Sequence, residues 1–169
     1  MSEEAAHEVA RYGSCSVSLR IRHPSCDPHE ITRELGLTPD HSWACGEPRR
    51  SEAGLPLGGM RRDSYWTASL PGVSLAQWQT PESERKATSA TPGAASKGLA
   101  GAIAQLQMQL QIMAQIRRNR AFLERLIGEG GEVTFVVEVE PAAGLSFRLD
   151  PALMQQLGAL RVRLEVEFV

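Results

Sequence analysis

The sequence is poor in cysteine and has no long apolar run. Its 169 residues contain three cysteines, Cys15, Cys26 and Cys45, and an odd number does not fit a disulfide framework. The opening residues MSEEAAHEVARYG lack the apolar segment of a secretory signal peptide, so we expect reduced thiols and a cytoplasmic location. No stretch approaches the roughly 20 apolar residues that a transmembrane helix needs. We therefore expect neither a disulfide-rich secreted domain nor a protein with membrane-spanning helices.

A strong net charge and the common nucleotide-binding motifs are also missing. The 18 basic and 20 acidic residues give a net charge of −2, which provides no general attraction to nucleic acid or to an anionic membrane. Among the basic residues only Lys86 and Lys97 are lysines, and arginine is the better side chain for bidentate recognition of anions. The glycine-rich segment 128–132 follows a predicted helix and has no lysine, so it does not fit a phosphate-binding loop. We expect no cofactor.

Alternating apolar and polar residues predict most of a β-sheet. The period of two that places successive side chains on opposite faces of a strand occurs at 14–22, 132–140, 145–150 and 161–169. Further strands are predicted at 64–70 and, shorter, at 42–45. Such alternation is typical of a largely antiparallel sheet with one face in water. We interpret the charged residues of that face as cross-strand pairs; they are Arg20, Arg22, Arg161, Arg163, Glu132, Glu138, Glu140, Glu165 and Glu167.

Two short helices are predicted to begin with the same Asp-Pro pair. Asp27 and Asp150 fit the N-cap position, proline follows at the first helical position, and Gly36 and Gly158 are expected to end the helices. The longest helix is predicted over 99–127. Its apolar stripe consists of Ile103, Leu106, Leu110, Met113, Ile116, Leu123 and Ile127.

The order of these elements predicts one α+β domain over residues 1–169. We expect a ferredoxin-like β-α-β-β-α-β order with an added strand-helix-strand unit, and helices packed on one face of the sheet. The segment 80–98 is rich in Ser, Thr, Ala, Pro and Gly and is predicted to be a mobile linker or loop. Residues 1–11 are predicted to be a flexible N-terminus.

Histidines and cysteines at short spacings suggest reactive chemistry. His41 and Cys45, with Glu47 nearby, are the residue types of a nucleophilic or metal-dependent hydrolase. Four residues apart on one strand, His41 and Cys45 would lie roughly 13 Å apart, which is too far for a direct contact. His23 and Cys26 have a spacing that zinc ligands use, but the chain has no paired C-x-x-C motif. We therefore expect no metal and no catalytic residue, and we keep this enzyme as the alternative hypothesis.

The segment 38–66 favours a binding surface instead. It places two of the three tryptophans, a tyrosine and four arginines around a long glycine-rich loop, a composition typical of recognition surfaces. The alternative interpretation is that Trp43 and Trp66 pair across neighbouring strands and fill the core. The predicted binding residues are Trp43, Gly46, Arg49, Arg50, Arg61, Arg62, Tyr65 and Trp66.

Arginines on the long helix leave a third class of function open. Arg117, Arg118, Arg120 and Arg125 would form the phosphate-contacting stripe of a weak nucleic-acid binder. A solvated helix face explains the same residues more simply, so we expect nucleic acid to be a less suitable partner than a protein or a small ligand.

The order of strand, Asp-Pro helix, LGLTP, tryptophan, glycine and SYW, followed by a long helix and a closing helix and strand, resembles a bacterial family, domain of unknown function 4279. The resemblance extends from about Tyr12 to Val169, and the matching positions are Leu35, Gly36, Pro39, Trp43, Gly46, Tyr65 and Trp66. It implies a small, mainly bacterial, cytoplasmic α+β protein and supplies no activity, cofactor or catalytic residue. A binding module for a protein partner or small ligand, such as an immunity or regulatory protein, fits this description. The oligomeric state stays open, because edge strands permit a homodimer.

Overall fold

The computed structural model of the protein describes residues 15–51, 53–70, 95–139 and 148–168. Within those ranges the chain forms a five-stranded sheet, a separate two-stranded sheet and three helices. In chain order the elements are β1 (Cys15–His23), α1 (Pro28–Leu35), β2 (His41–Trp43), β3 (Pro48–Arg50), β4 (Pro56–Met60), β5 (Ser64–Ser69), α2 (Ala95–Gly128), β6 (Glu132–Val139), α3 (Pro151–Leu160) and β7 (Arg163–Phe168).

The five-stranded sheet has the order β2-β5-β1-β6-β7. Its central strand, β1, pairs antiparallel with both β5 and β6, and β2 pairs antiparallel with β5. The last strand, β7, pairs in parallel with β6, as strands joined by a helical crossover do. The predicted α+β class and the mostly antiparallel sheet are confirmed.

Alternation along the strands separates an apolar face from an open face. The register places Leu19 between Ala68 and Phe135, and all three side chains are buried. Side chains from every helix join the same core, which stabilises the fold by removing apolar area from water; they are Ile31, Leu35, Met108, Ile112, Ile116, Leu123, Leu126, Leu153, Leu157 and Leu160. The intervening strand residues point the other way, to what we call the open face; they include Arg20, Arg22, Trp43, Tyr65, Glu132, Thr134, Arg163 and Glu165.

Side-chain caps begin the two short helices as expected. The Asp27 carboxylate accepts a hydrogen bond from the His29 N–H at 2.8 Å, and the Asp150 carboxylate accepts one from the Ala152 N–H at 2.7 Å. Gly36 ends α1 with a positive φ of 64°. The predicted end of α3 was wrong. Gly158 lies within that helix, and the helix ends at Arg161, which has a φ of 58°. Backbone N–H groups of residues 161 and 162 satisfy the last carbonyls, and this compensates for a side chain in the left-handed region.

The long helix differs from its predicted stripe in its first half. Leu106 and Leu110 are 58% and 56% exposed, whereas Met108 and Ile112 are fully buried. Because apolar residues stand at every second position here, two different helix faces are apolar. The face with Met108 and Ile112 is the one buried in the core, and the predicted face with Leu106 and Leu110 is exposed. The backbone leaves helical geometry at Asn119, with φ −115° and ψ 18°. Its side-chain amide donates to the Gln115 carbonyl oxygen, a local bond that competes with the helix ladder.

Part of the predicted long loop between the two tryptophans is a β-hairpin. Strands β3 and β4 pair antiparallel with an irregular register, and every residue of both strands is exposed. Gly58 and Gly59 have φ of 73° and 75°, which glycine adopts without steric strain. The hairpin therefore stands outside the main core.

Several predictions concern residues that the structure describes only in part. The proposed N-terminal segment 1–11 lies outside the described residues, and so do positions 80–94 of the proposed linker; positions 95–98 are helical. Of the predicted strand at 145–150, residues 145–147 lie outside the described ranges, and 148–150 are irregular because they lead into the α3 cap.

Candidate binding site on the open sheet face

Two aromatic rings stack on the open face. Strands β2 and β5 are paired so that Trp43 lies directly opposite Tyr65, and their ring centroids are 4.3 Å apart with an interplanar angle of 17°. Side chains of directly opposed residues in an antiparallel pair are close enough for such contacts. We call these two residues the aromatic stack.

An arginine lies at each end of the aromatic stack. The Cζ atom of Arg61 is 3.9 Å from the ring centroid of Trp43, and that of Arg22 is 5.8 Å from the ring centroid of Tyr65. Both distances are within the range of a cation–π interaction, worth about 0.5–1 kcal/mol at an exposed site. The result is a row of four groups, with a guanidinium at either end and two rings between them.

Backbone hydrogen bonds hold Arg61 in place. Gly46 has a φ of 84°, and its N–H donates to the Arg61 carbonyl oxygen at 2.9 Å. The Arg61 N–H donates in return to the Glu47 carbonyl oxygen at 2.8 Å. The Cys45 N–H donates to the Ser64 hydroxyl oxygen at 2.9 Å and so ties the same turn to β5. Gly46 therefore contributes to the site through its backbone.

Beside the stack lies an open groove of about 310 Å³. It is lined by Arg20, Arg22, Trp43, Tyr65, Glu132, Thr134, Arg163 and Glu165. Two of its arginines form ion pairs across strands: Arg20 with Glu165 and Arg163 with Glu132, each at 3.1 Å. Within the described residues Arg22 has no carboxylate partner, so the groove has one uncompensated positive charge.

The structure brings together four of the eight predicted binding residues. Trp43, Tyr65 and Arg61 are in contact, and Gly46 supports Arg61. Trp66 lies on the opposite side of the sheet.

Trp66 is fully buried in the core, and its indole N–H donates to the Thr32 hydroxyl oxygen at 3.0 Å. Its partner across the sheet is therefore not Trp43, and it offers no surface to a ligand. The remaining arginines belong to the hairpin and its ends. Arg49 and Arg62 are exposed, and Arg50 donates to the Gly54 carbonyl oxygen at 3.2 Å within the hairpin.

The other six residues that line the groove were predicted from the sequence to lie on the solvent-exposed face of the sheet, but they were not predicted to form a site. Cross-strand ion pairs were predicted there and are present for Arg20 and Arg163. Arg22 was included among those pairs, yet it contacts Tyr65 instead. The sequence did indicate that Arg22 shares a face with Arg20, because the two are two residues apart on one strand. It did not indicate the pairing of β1 with β5 that places Tyr65 opposite Arg22. The remaining unassigned groove residues are Glu132, Thr134 and Glu165.

The three residues of the hydrolase alternative do not form a reactive cluster. The Cys45 thiol is exposed and donates to the Arg62 carbonyl oxygen at 3.3 Å, while His41 and Glu47 are exposed on the edge strand and the following turn. In the part of the chain that the structure describes, no side-chain hydrogen bond or ion pair joins these three residues. The described residues also contain no group of three His, Cys, Asp or Glu side chains that would hold a metal ion.

His23 and Cys26 form a structural turn. The His23 ring is 4% exposed, and its Nδ1 accepts the N–H groups of Ser25 at 3.1 Å and Cys26 at 2.7 Å. Because Nδ1 accepts, the neutral ring carries its proton on Nε2, which lies 3.5 Å from a Glu129 oxygen and is too distant for a strong hydrogen bond.

The Cys26 thiol is in a setting that opposes ionisation. Burial and, to a lesser degree, the negative charge of Glu30 together raise its pKa to about 11. The Glu30 carboxylate is 2.6 Å from the Arg125 guanidinium, and this hydrogen bond lowers the pKa of Glu30. A thiol with so high a pKa is a poor nucleophile and a poor metal ligand at neutral pH.

The arginines of α2 do not form a continuous basic stripe. Arg120 pairs with Glu124 at 3.0 Å, and Arg125 pairs with Glu30. Arg117 and Arg118 are exposed and lie just before the helix irregularity at Asn119. Half of the predicted phosphate-contacting residues are thus neutralised by carboxylates of the same chain.

Comparisons with known proteins give a family and no further relative. Residues 13–86, less than half of the chain, match the family model described as Domain of unknown function (DUF4279), and over that range the chain is similar to this family. The match includes the aromatic stack and covers less of the chain than the expected range from Tyr12 to Val169. Searches of curated proteins and of solved structures returned no significant match. Among the helices that the structure describes, none has the length and apolar character needed to cross a membrane.

Proposed function

We propose that this chain, which matches the DUF4279 family model over residues 13–86, is a binding module that recognises a protein partner or small ligand through its open sheet face. The observation that carries the proposal is the aromatic stack with Arg22 and Arg61 at its ends. Within the described residues, neither guanidinium forms an ion pair or a hydrogen bond through its side chain. Five other arginines of those ranges, which are Arg20, Arg33, Arg120, Arg125 and Arg163, do pair with carboxylates.

The aromatic stack orients the guanidinium groups of Arg22 and Arg61 in a way that favours binding of an anion. A guanidinium lying over an aromatic ring uses its flat face in that contact and keeps its in-plane N–H donors available. Those donors match a carboxylate or phosphate in a bidentate arrangement. Because the rings restrict the arginine before the ligand arrives, less side-chain entropy is lost on binding. The ligand chemistry that fits is therefore an anionic group, on a protein segment or a small molecule, that reaches the groove beside Tyr65.

Capture of partners from a lysate of the source organism tests the proposal. The immobilised wild-type chain is compared with Arg22→Gln and Arg61→Gln variants, and the retained molecules are quantified by mass spectrometry. Arg33→Gln is the matched control, because Arg33 lies on α1 with 71% of its side chain exposed. Each captured partner is then purified and titrated against all four proteins.

Binding through the site predicts that the affinity of a partner falls roughly tenfold or more in either site variant, as for loss of a charge-assisted hydrogen bond. The control should bind like the wild type. Equal affinity of all four proteins for every captured partner would exclude the open face as the binding surface.

We also infer that the first part of the sheet follows the ferredoxin-like order. Across the sheet, the first four strands stand in the order β2, β5, β1, β6, and each adjacent pair is antiparallel. Along the chain, α1 follows β1 and α2 precedes β6. The hairpin β3-β4 would then be an insertion between the second and third strands, and α3 with β7 an addition at the edge.

A further inference from the structure

The aromatic stack determines how far apart its two arginines lie. Arg22 on β1, Tyr65 on β5 and Trp43 on β2 stand directly opposite one another, so the row of four groups crosses the strands. The Arg61 Cζ atom and the Tyr65 ring are 3.9 and 4.3 Å from the Trp43 ring centroid, and two groups that close occupy opposite faces of the ring. A further 5.8 Å separates the Tyr65 ring from the Arg22 Cζ atom. The row therefore spans up to about 14 Å between the two Cζ atoms.

Both guanidinium groups are available to one ligand. The carboxylate opposite Arg22 in the register belongs to Glu132, which pairs with Arg163 at 3.1 Å. Among the described residues, the side chains of Arg22 and Arg61 contact their rings and no carboxylate. Once a ligand is held by one arginine, a second anionic group on the same ligand meets the other arginine at a high effective concentration. A ligand with two anionic groups at the right separation is therefore favoured over a ligand with one.

We propose that the row binds an extended protein segment with two acidic residues four positions apart, one carboxylate on Arg22 and the other on Arg61. This inference rests on the proposed function, whose partner it narrows to an acidic peptide segment. An extended chain rises about 3.3 Å per residue, and alternate side chains share a face. Residues four positions apart thus lie on one face and about 13 Å apart, which is close to the span of the row.

Other arrangements of two acidic groups match the row less well. Acidic residues two positions apart in an extended chain are only about 7 Å apart. In an α-helix, residues four positions apart are separated by about 6 Å along the axis. A small dicarboxylic acid such as succinate is also shorter than the row. The span therefore favours an extended segment.

Synthetic peptides with blocked ends test the spacing. Aspartate is the probe residue, because its short side chain keeps the carboxylate near the backbone, and threonine and serine fill the other positions, since threonine favours an extended chain. The peptides carry two aspartates four positions apart, two aspartates two positions apart, or one aspartate. Titrations followed by NMR give their dissociation constants for the wild-type chain. The peptide with the four-position spacing should bind at least tenfold more tightly than the others, as for one additional charge-assisted hydrogen bond.

Arginine variants identify the two contacts. Arg22→Gln and Arg61→Gln should each bind the peptide with the four-position spacing as weakly as the wild type binds the peptide with one aspartate. Arg33→Gln on α1 is the matched control and should keep the full preference, because Arg33 lies outside the row. Circular dichroism confirms that the three variants are folded.

The outcomes separate this inference from the proposed function. Equal affinity of the wild type for all the peptides, or a preference for the four-position spacing that survives in both site variants, would overturn the inference. If, in addition, a captured partner still loses affinity in both site variants, the spacing is wrong and the proposed function stands. If neither the peptides nor any captured partner responds to the two site variants, both proposals fail.

Discussion

Adding one methyl group at Gly131 should destabilise the fold, although glycine is there for space and not for an unusual backbone angle. A Cβ atom at this position would lie 2.7 Å from His23 Cδ2, 2.7 Å from the Leu126 carbonyl oxygen and 3.3 Å from the Arg22 carbonyl oxygen. The neighbours have little freedom to move. The His23 ring is buried and fixed by two backbone N–H groups, and the other two contacts are backbone atoms.

The size of the effect follows from these contacts. Carbon atoms pack at about 3.5–4.0 Å, so the new methyl group overlaps a ring and a carbonyl by most of an ångström. Overpacking of a close-packed interior typically costs about 1–3 kcal/mol, and two rigid neighbours place Gly131→Ala at about 2–3 kcal/mol. For a chain of this length the corresponding fall in Tm is roughly 4–12 °C.

The same substitution elsewhere supplies the control. Gly158 lies within α3, and a Cβ atom there meets nothing within 4 Å. Gly158→Ala should therefore stabilise the protein by about 0.5–1 kcal/mol, because alanine loses less backbone entropy in a helix. Urea unfolding followed by far-UV circular dichroism measures both variants. If Gly131→Ala is as stable as the wild type, the packing of the His23 turn has been described incorrectly.

Three further changes test other parts of the structure. Thr32→Val leaves the buried indole N–H of Trp66 without its acceptor and should lower the unfolding free energy by about 1–3 kcal/mol. Thr32→Ser keeps the hydroxyl group and should retain most of the wild-type unfolding free energy, and urea unfolding measures the difference between the two variants. Cys26, buried and with its pKa raised to about 11, should react with a thiol reagent at least tenfold more slowly than exposed Cys45, which peptide mapping resolves; equal rates would contradict the burial. Arg125→Gln should raise the pKa of Glu30 towards its ordinary value of 4.5, as measured by NMR, because the guanidinium bond lowers it. A carboxyl group whose pKa is lowered in the folded state stabilises the fold at any pH above its ordinary pKa. The difference in unfolding free energy between this variant and the wild type should therefore be present near neutral pH and disappear as the pH falls through the lowered pKa.

The sequence allowed prediction of features that depend on local chemistry. Strand alternation depends only on a period of two, so the buried positions Leu19 and Phe135 and the exposed Arg163 were predictable. The Asp-Pro helix starts were predictable for the same reason, since an N-cap bond spans two residues.

Features that depend on register or on a choice between alternatives were not predictable. Trp43 and Trp66 lie on opposite faces because β2 and β5 pair with Trp43 opposite Tyr65, and no sequence pattern fixes that register. The first half of α2 has apolar residues on two faces, and only packing decides that Met108 is buried and Leu110 exposed. The candidate site was thus predictable in part of its composition, through Trp43 and Tyr65, and not in its arrangement.

The central claim, that the open sheet face binds through the aromatic stack, is tested most directly by NMR. Side-chain N–H resonances of Trp43, Trp66, Arg22 and Arg61 are followed while a partner obtained by the capture experiment is added. The indole N–H of Trp43 has no hydrogen-bond acceptor among the described residues, whereas that of Trp66 is bonded in the core. We expect the largest shifts at Trp43, Arg22 and Arg61 and none at Trp66. Saturable binding that leaves the first three resonances unchanged would contradict the claim.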